Sequence, residues 1–128
     1  EVYTNGASVL ASFSSVSFDN NGECTANTFT PKVTGGYSLQ IGLDSNNTVA
    51  VASGGYVLVT LAEDGTGIAR IAEWRGQEVN TIAVWLRGSI LYKLTAGKAY
   101  TILVNNQLGG NLVGESGGSW YFRGYRVF

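Results

Sequence analysis

Apolar and polar residues alternate with a period of two along much of the chain. The clearest run is Tyr37, Leu39, Ile41 and Leu43, separated by Ser38, Gln40 and Gly42. Successive side chains of a strand point to opposite faces, so this run predicts a half-buried strand. Shorter apolar runs rich in β-branched residues predict further strands over residues 9–13, 16–18, 28–30, 49–51, 56–61, 68–74, 79–86, 90–94 and 99–104. Turn signals separate them: Asp19-Asn20-Asn21-Gly22, Thr34-Gly35-Gly36, Asp44-Ser45-Asn46-Asn47, Ser53-Gly54-Gly55, Glu63-Asp64-Gly65, Arg75-Gly76-Gln77-Glu78 and Thr95-Ala96-Gly97. Gly88 is expected to bend the chain, and residues 105–118 read as a long polar loop. No window of helical length carries a 3.6-residue stripe. The nearest rival, residues 68–74, is hemmed in by Gly65, Gly67 and Gly76.

The last nine residues, Trp120-Tyr121-Phe122-Arg123-Gly124-Tyr125-Arg126-Val127-Phe128, hold five aromatic side chains. Read as a strand, they place Trp120, Phe122 and Phe128 on one face, and Tyr121, Tyr125 and Val127 on the other. One face fills a core. The other needs cover, either from a neighbouring subunit or from the rest of the same chain.

Eight to ten short strands with a turn about every eight to twelve residues predict an all-β, two-sheet sandwich or jelly roll. At 128 residues the chain makes one domain. Only 13% of residues are charged, so the surface must be polar through Ser, Thr, Asn and Gly. Such a surface suits an oligomer at an extracellular or virion location. The net charge of −1 and the lack of a basic block argue against nucleic acid. Arg123 and Arg126 are expected to meet Tyr121 and Tyr125 through cation–π or ion-pair contacts. No apolar stretch reaches the roughly 18 residues of a membrane span, so no membrane insertion is expected.

The chemistry of an enzyme is largely missing. With no histidine, serine–histidine and cysteine–histidine systems are excluded. The single cysteine, Cys24, permits no intrachain disulfide and no cysteine-type zinc cluster. Gly54-Gly55 and Gly109-Gly110 lack the lysine and strand–helix context of a phosphate loop. Glu73 and Glu78 flank one turn, but Arg75 and Arg87 are close enough in sequence to neutralise them, so a solvated hairpin tip is expected rather than an acid/base pair. Asp44-Ser45-Asn46-Asn47 offers oxygen ligands but reads as a plain turn, and no metal or other cofactor is expected. Asn46-Asn47-Thr48 fits a glycosylation sequon. A glycan site needs an exposed aromatic ring beside amide and charged groups. Trp74, Arg75, Gln77, Glu78 and Asn80 have that make-up, and Asn105 and Asn106 add amides. Trp74 can equally be core, and Trp85 is expected in the core or an interface.

Three segments resemble the tumour-necrosis-factor-like jelly rolls, a family that includes the globular heads of the first complement component. Phe29, Pro31, Gly35 and Tyr37 match its Phe-x-Pro/Ala-x-x-x-Gly-x-Tyr segment. Leu94-Thr95-Ala96-Gly97-Lys98-Ala99-Tyr100 is similar to its Leu-x-Ala-Gly-Asp-x-Val turn, with Lys98 at the acidic position. Phe122-Arg123-Gly124-Tyr125 is similar to its closing strand. The resemblance implies a compact homotrimer whose interface includes Tyr121, Tyr125 and Phe128. It also implies that residues 1–128 are a single jelly-roll head, the C-terminal part of a longer fibrous protein. The expected function is a receptor-binding or adhesive head for a cell-surface glycan or protein, at the tip of a viral or bacterial fibre. The alternative is a structural trimerisation cap or capsid module with no ligand of its own. An enzyme is not expected.

Overall fold

The computed structural model describes residues 2–3, 6, 8–10, 15–16, 23–25, 27–76, 80–113 and 121–128. Over these residues the chain is all β and contains no helix. Its strands are β1 (Val2–Tyr3), β2 (Ser8–Leu10), β3 (Ser15–Val16), β4 (Cys24–Thr25), β5 (Thr28–Phe29), β6 (Gly35–Val51), β7 (Tyr56–Glu63), β8 (Thr66–Arg75), β9 (Asn80–Leu94), β10 (Tyr100–Gln107), β11 (Leu112–Val113) and β12 (Tyr121–Arg126). One sheet has the order β3-β12-β6-β9, antiparallel except where β3 runs parallel to β12. The other has the order β4-β5-β10-β7-β8, with β2 also on β10, and is antiparallel throughout. A small β1–β11 ribbon completes the set.

The period-two pattern explains how the sheets pack. Tyr37, Leu39, Ile41 and Leu43 of β6 are all buried, as are Val57, Val59 and Leu61 of β7 and Tyr100, Ile102 and Val104 of β10. Together with Phe122 of β12 and Val84, Leu86 and Leu94 of β9, they form one core between the sheets. Each such side chain removed from water contributes about 1.5–3 kcal/mol. Gly88 faces this core where β9 passes β8, and a β-carbon there would lie 2.7 Å from the Ile71 carbonyl oxygen.

Several expectations are corrected. Asp44-Ser45-Asn46-Asn47 is not a loop. β6 continues through it, with a register shift against β9 between Asp44 and Thr48. Inside that irregularity the buried Ser45 hydroxyl accepts the Val84 N–H at 2.9 Å. Gly88 does not divide β9, which runs unbroken from Asn80 to Leu94. Phe128 does not share the buried face of Phe122. β12 ends at Arg126, and the last two residues fold over the start of β6. There the Gly36 N–H donates to the Phe128 carbonyl and the Val127 N–H to the Gly36 carbonyl, each at 2.8 Å. Trp120 lies outside the described residues.

The turn at Thr95-Ala96-Gly97 is as expected, with Gly97 at φ 81°. Lys98 pairs with Asp64 of the β7–β8 turn at 3.3 Å. The Ala99 N–H and then Lys98 hold the Asp64 carboxyl below its ordinary range. Nearby, the Tyr100 hydroxyl donates to Glu63 at 2.7 Å and accepts the Thr95 N–H at 2.8 Å. The Tyr37 hydroxyl donates to the Val33 carbonyl at 2.6 Å. Burial raises the pKa of both phenols above the ordinary value of 10. Their contribution to stability is fully present below pH 10, the unfolded-state value, and is lost as pH rises through the higher folded-state values. The melting temperature is therefore expected to fall steeply above pH 10. A Tyr37→Phe, Tyr100→Phe double variant should flatten that fall, and identical alkaline profiles for the two proteins would refute the assignment.

Candidate functional site

Strand alternation splits the residues first considered for a glycan site. Register across β10, β7 and β8 aligns Gln107, Tyr56 and Arg75 in one row and Asn105, Leu58 and Glu73 in the next. These side chains occupy the outer face of the sheet. Trp74 and Asn106 belong to the inner face. Trp74 is half-buried, packs against the core and covers Gly76, so it is no open platform. Asn106 is fully buried, which corrects its reading as a ligand residue. Its amide nitrogen donates to the Tyr3 and Gly110 carbonyls at 2.9 and 2.8 Å, and its oxygen accepts the Leu108 N–H at 3.1 Å.

On the outer face, the Arg75 guanidinium lies 5.0 Å above the Tyr56 ring and hydrogen-bonds Glu73. Arg70 binds the other Glu73 oxygen at 2.6 Å. These bonds, Arg75 first, hold the Glu73 carboxyl below its ordinary range, which suits a surface ion pair rather than a proton donor. Asn105 accepts a hydrogen bond from Gln107 at 3.0 Å. Asn80 opens β9 opposite Val51. Gln77 and Glu78 lie outside the described residues.

A second surface is built by the outer face of β12, β6 and β9. Register makes four rows: Gly36 beside Lys93; Tyr125, Ser38 and Leu91; Arg123, Gln40 and Ser89; and Tyr121, Gly42 and Arg87. Asp44 and Trp85 follow as a pair at the far end. Large apolar side chains stand in water here: Trp85 and Phe128 are each 74% exposed, Leu91 58%, Val127 53% and Tyr125 50%. The face has two characters. At the Gly36 end, Leu91 and Phe128 flank a groove of about 600 Å³ with Thr34 and Lys93. At the Gly42 end, Gln40, Arg87, Ser89 and Tyr121 line a cavity of about 310 Å³.

Asp44 organises the polar end. Its buried carboxylate receives both terminal nitrogens of Arg87, Nη2 at 2.9 Å. These bonds raise the Arg87 pKa, opposed only in part by burial. Arg87 and Arg123 lie 5.8 and 4.4 Å from the centre of the Tyr121 ring. That ring lies against Gly42, where a β-carbon would come within 2.4 Å of it, so only glycine lets the ring lie so close to the sheet. Arg123 also donates to the Gln40 side chain at 2.9 Å.

Compared with known proteins, the chain matches no family model and no curated protein. Among the described residues, no group of three or more Asp, Glu, Cys or His is placed to hold a metal ion. Sequence reasoning missed the Asp44–Arg87 pair, whose partners are 43 residues apart. It left Trp85 open between core and interface, and its 74% exposure in the single chain rules out the core. For the outward direction of Trp85 a usable signal existed, because Trp85, Arg87 and Ser89 alternate with the apolar Val84 and Leu86.

Proposed function

We propose that this chain is a non-enzymatic recognition head that assembles as a trimer and displays ligand-binding surfaces at an extracellular or virion location. The observation that carries the reading is the cluster of Leu91, Tyr125, Val127 and Phe128, exposed side by side at one end of one sheet face. Monomers rarely leave such a block uncovered, and a second copy of the chain is its simplest cover. Tyr125 and Phe128 then belong to the contact. Tyr121, seated between two arginines, lies at its polar border.

The jelly-roll reading draws support from the strand order. The chain changes sheet between β5 and β6, β6 and β7, β8 and β9, β9 and β10, and β10 and β12. Among the described residues, the β4–β5 and β7–β8 pairs stay within one sheet. Threefold rather than twofold symmetry follows from the family resemblance. Three displayed sites raise avidity without stronger individual contacts. The native mass in solution tests the proposal. Three chains per particle is the expected result, and a single chain at high concentration would refute it.

A further inference from the structure

We infer that the cavity between Arg87 and Tyr121 is a binding site for the carboxylate of an acidic saccharide. This deepens the recognition reading and rests on it for biological role. The chemistry of the site stands separately. A guanidinium has five N–H donors in a rigid fork. Asp44 takes one from each terminal nitrogen of Arg87, and the Leu86 carbonyl takes the second from Nη1 at 2.9 Å. The edge formed by Nε–H and the remaining Nη2–H has no partner among the described residues. That edge matches a second carboxylate bidentately. A buried acid thus aims a half-exposed arginine before any ligand arrives.

Charge favours an anion there as well. Two guanidiniums, Arg87 and Arg123, flank the Tyr121 ring, and Asp44 pairs with Arg87. The neighbouring groups suit a sugar. Ser89 and Gln40 line the cavity and offer a hydroxyl and an amide to ring hydroxyls. Trp85 precedes Arg87 by two strand positions on the same face, about 7 Å away, and its indole is open to solvent. That spacing suits a pyranose ring stacked on the indole with its carboxylate on the arginine edge.

The test titrates the intact chain with trigalacturonate, following tryptophan fluorescence and calorimetric heat. Neutral galactotriose, sodium acetate and an acidic tripeptide are the comparison ligands. Saturable binding of trigalacturonate alone is expected. Trp85→Ala, at an exposed position, should weaken it roughly tenfold or more without shifting the melting temperature. Arg87→Lys keeps the charge but loses the forked edge, and should weaken it at least as much. Equal binding of galactotriose, saturation by acetate alone, tighter binding of the peptide, or unchanged affinity in Trp85→Ala would each overturn the inference. Native mass recorded on the same samples separates the two proposals. A trimer that ignores trigalacturonate overturns the site alone, and a single chain that binds it overturns the assembly alone.

Discussion

Replacing Asn106 with alanine is expected to cost about 2–4 kcal/mol of folding stability, the largest effect of any single polar substitution considered. Asn106 sits on β10 opposite Val57, with its side chain directed into the core. It satisfies three backbone groups at once: the carbonyls of Tyr3 and Gly110 and the N–H of Leu108. Leaving a buried polar group unpaired costs about 1–3 kcal/mol, and water entering the vacated space recovers part of the sum. The loss is topological too. The bond to Tyr3 ties β1, whose Tyr3 is fully buried, to the central strand of the larger sheet. Denaturant unfolding should show the drop for Asn106→Ala. Asn105→Ala, one residue away on the outer face, should stay within about 0.5 kcal/mol of the parent. Equal stabilities for the two variants would return Asn106 to the surface role that sequence suggested.

That adjacent pair shows how far alternation can be read. Tyr100, Ile102, Val104, Asn106 and Leu108 share one parity and are all buried. The run of apolar partners was enough to mark Asn106 as an inward amide, but its polarity pulled it into a surface list. The same rule places Tyr37, Leu39, Ile41 and Leu43 correctly, because four consecutive inward residues are apolar. It fails at Asp44-Ser45-Asn46-Asn47, where composition favours a turn. β9 pairs with the chain on both sides of the irregularity and carries β6 through it. It fails again at Phe128, because alternation was extended past the last ladder pair at Arg126. The Asp44–Arg87 fork had no local signal at all. Its partners meet only because β6 and β9 are neighbours, and nothing in either segment specifies that pairing.

The charge variants Phe128→Asp and Tyr125→Asp should each convert the proposed trimer into single chains, while the domain itself stays folded. Phe128 is 74% and Tyr125 50% exposed, so an aspartate at either position meets water in the separate chain and costs the fold little. The backbone bonds between Gly36 and the last two residues do not depend on the Phe128 side chain. The Phe128 ring covers Gly36, where a β-carbon would lie 2.5 Å from it, and forms one wall of the apolar groove. In an assembly that buries this groove, the ring contributes about 1.5–3 kcal/mol per chain. An aspartate loses that contribution and adds a desolvated carboxylate. Together these are expected to weaken association by about 100-fold or more. Thr60→Asp, on the outer face of the other sheet, is the control and should leave the mass unchanged. Sedimentation of each variant against the parent decides the matter. A particle mass unaffected by Phe128→Asp and Tyr125→Asp would place the contact elsewhere, because no assembly through this end of the face can absorb those charges.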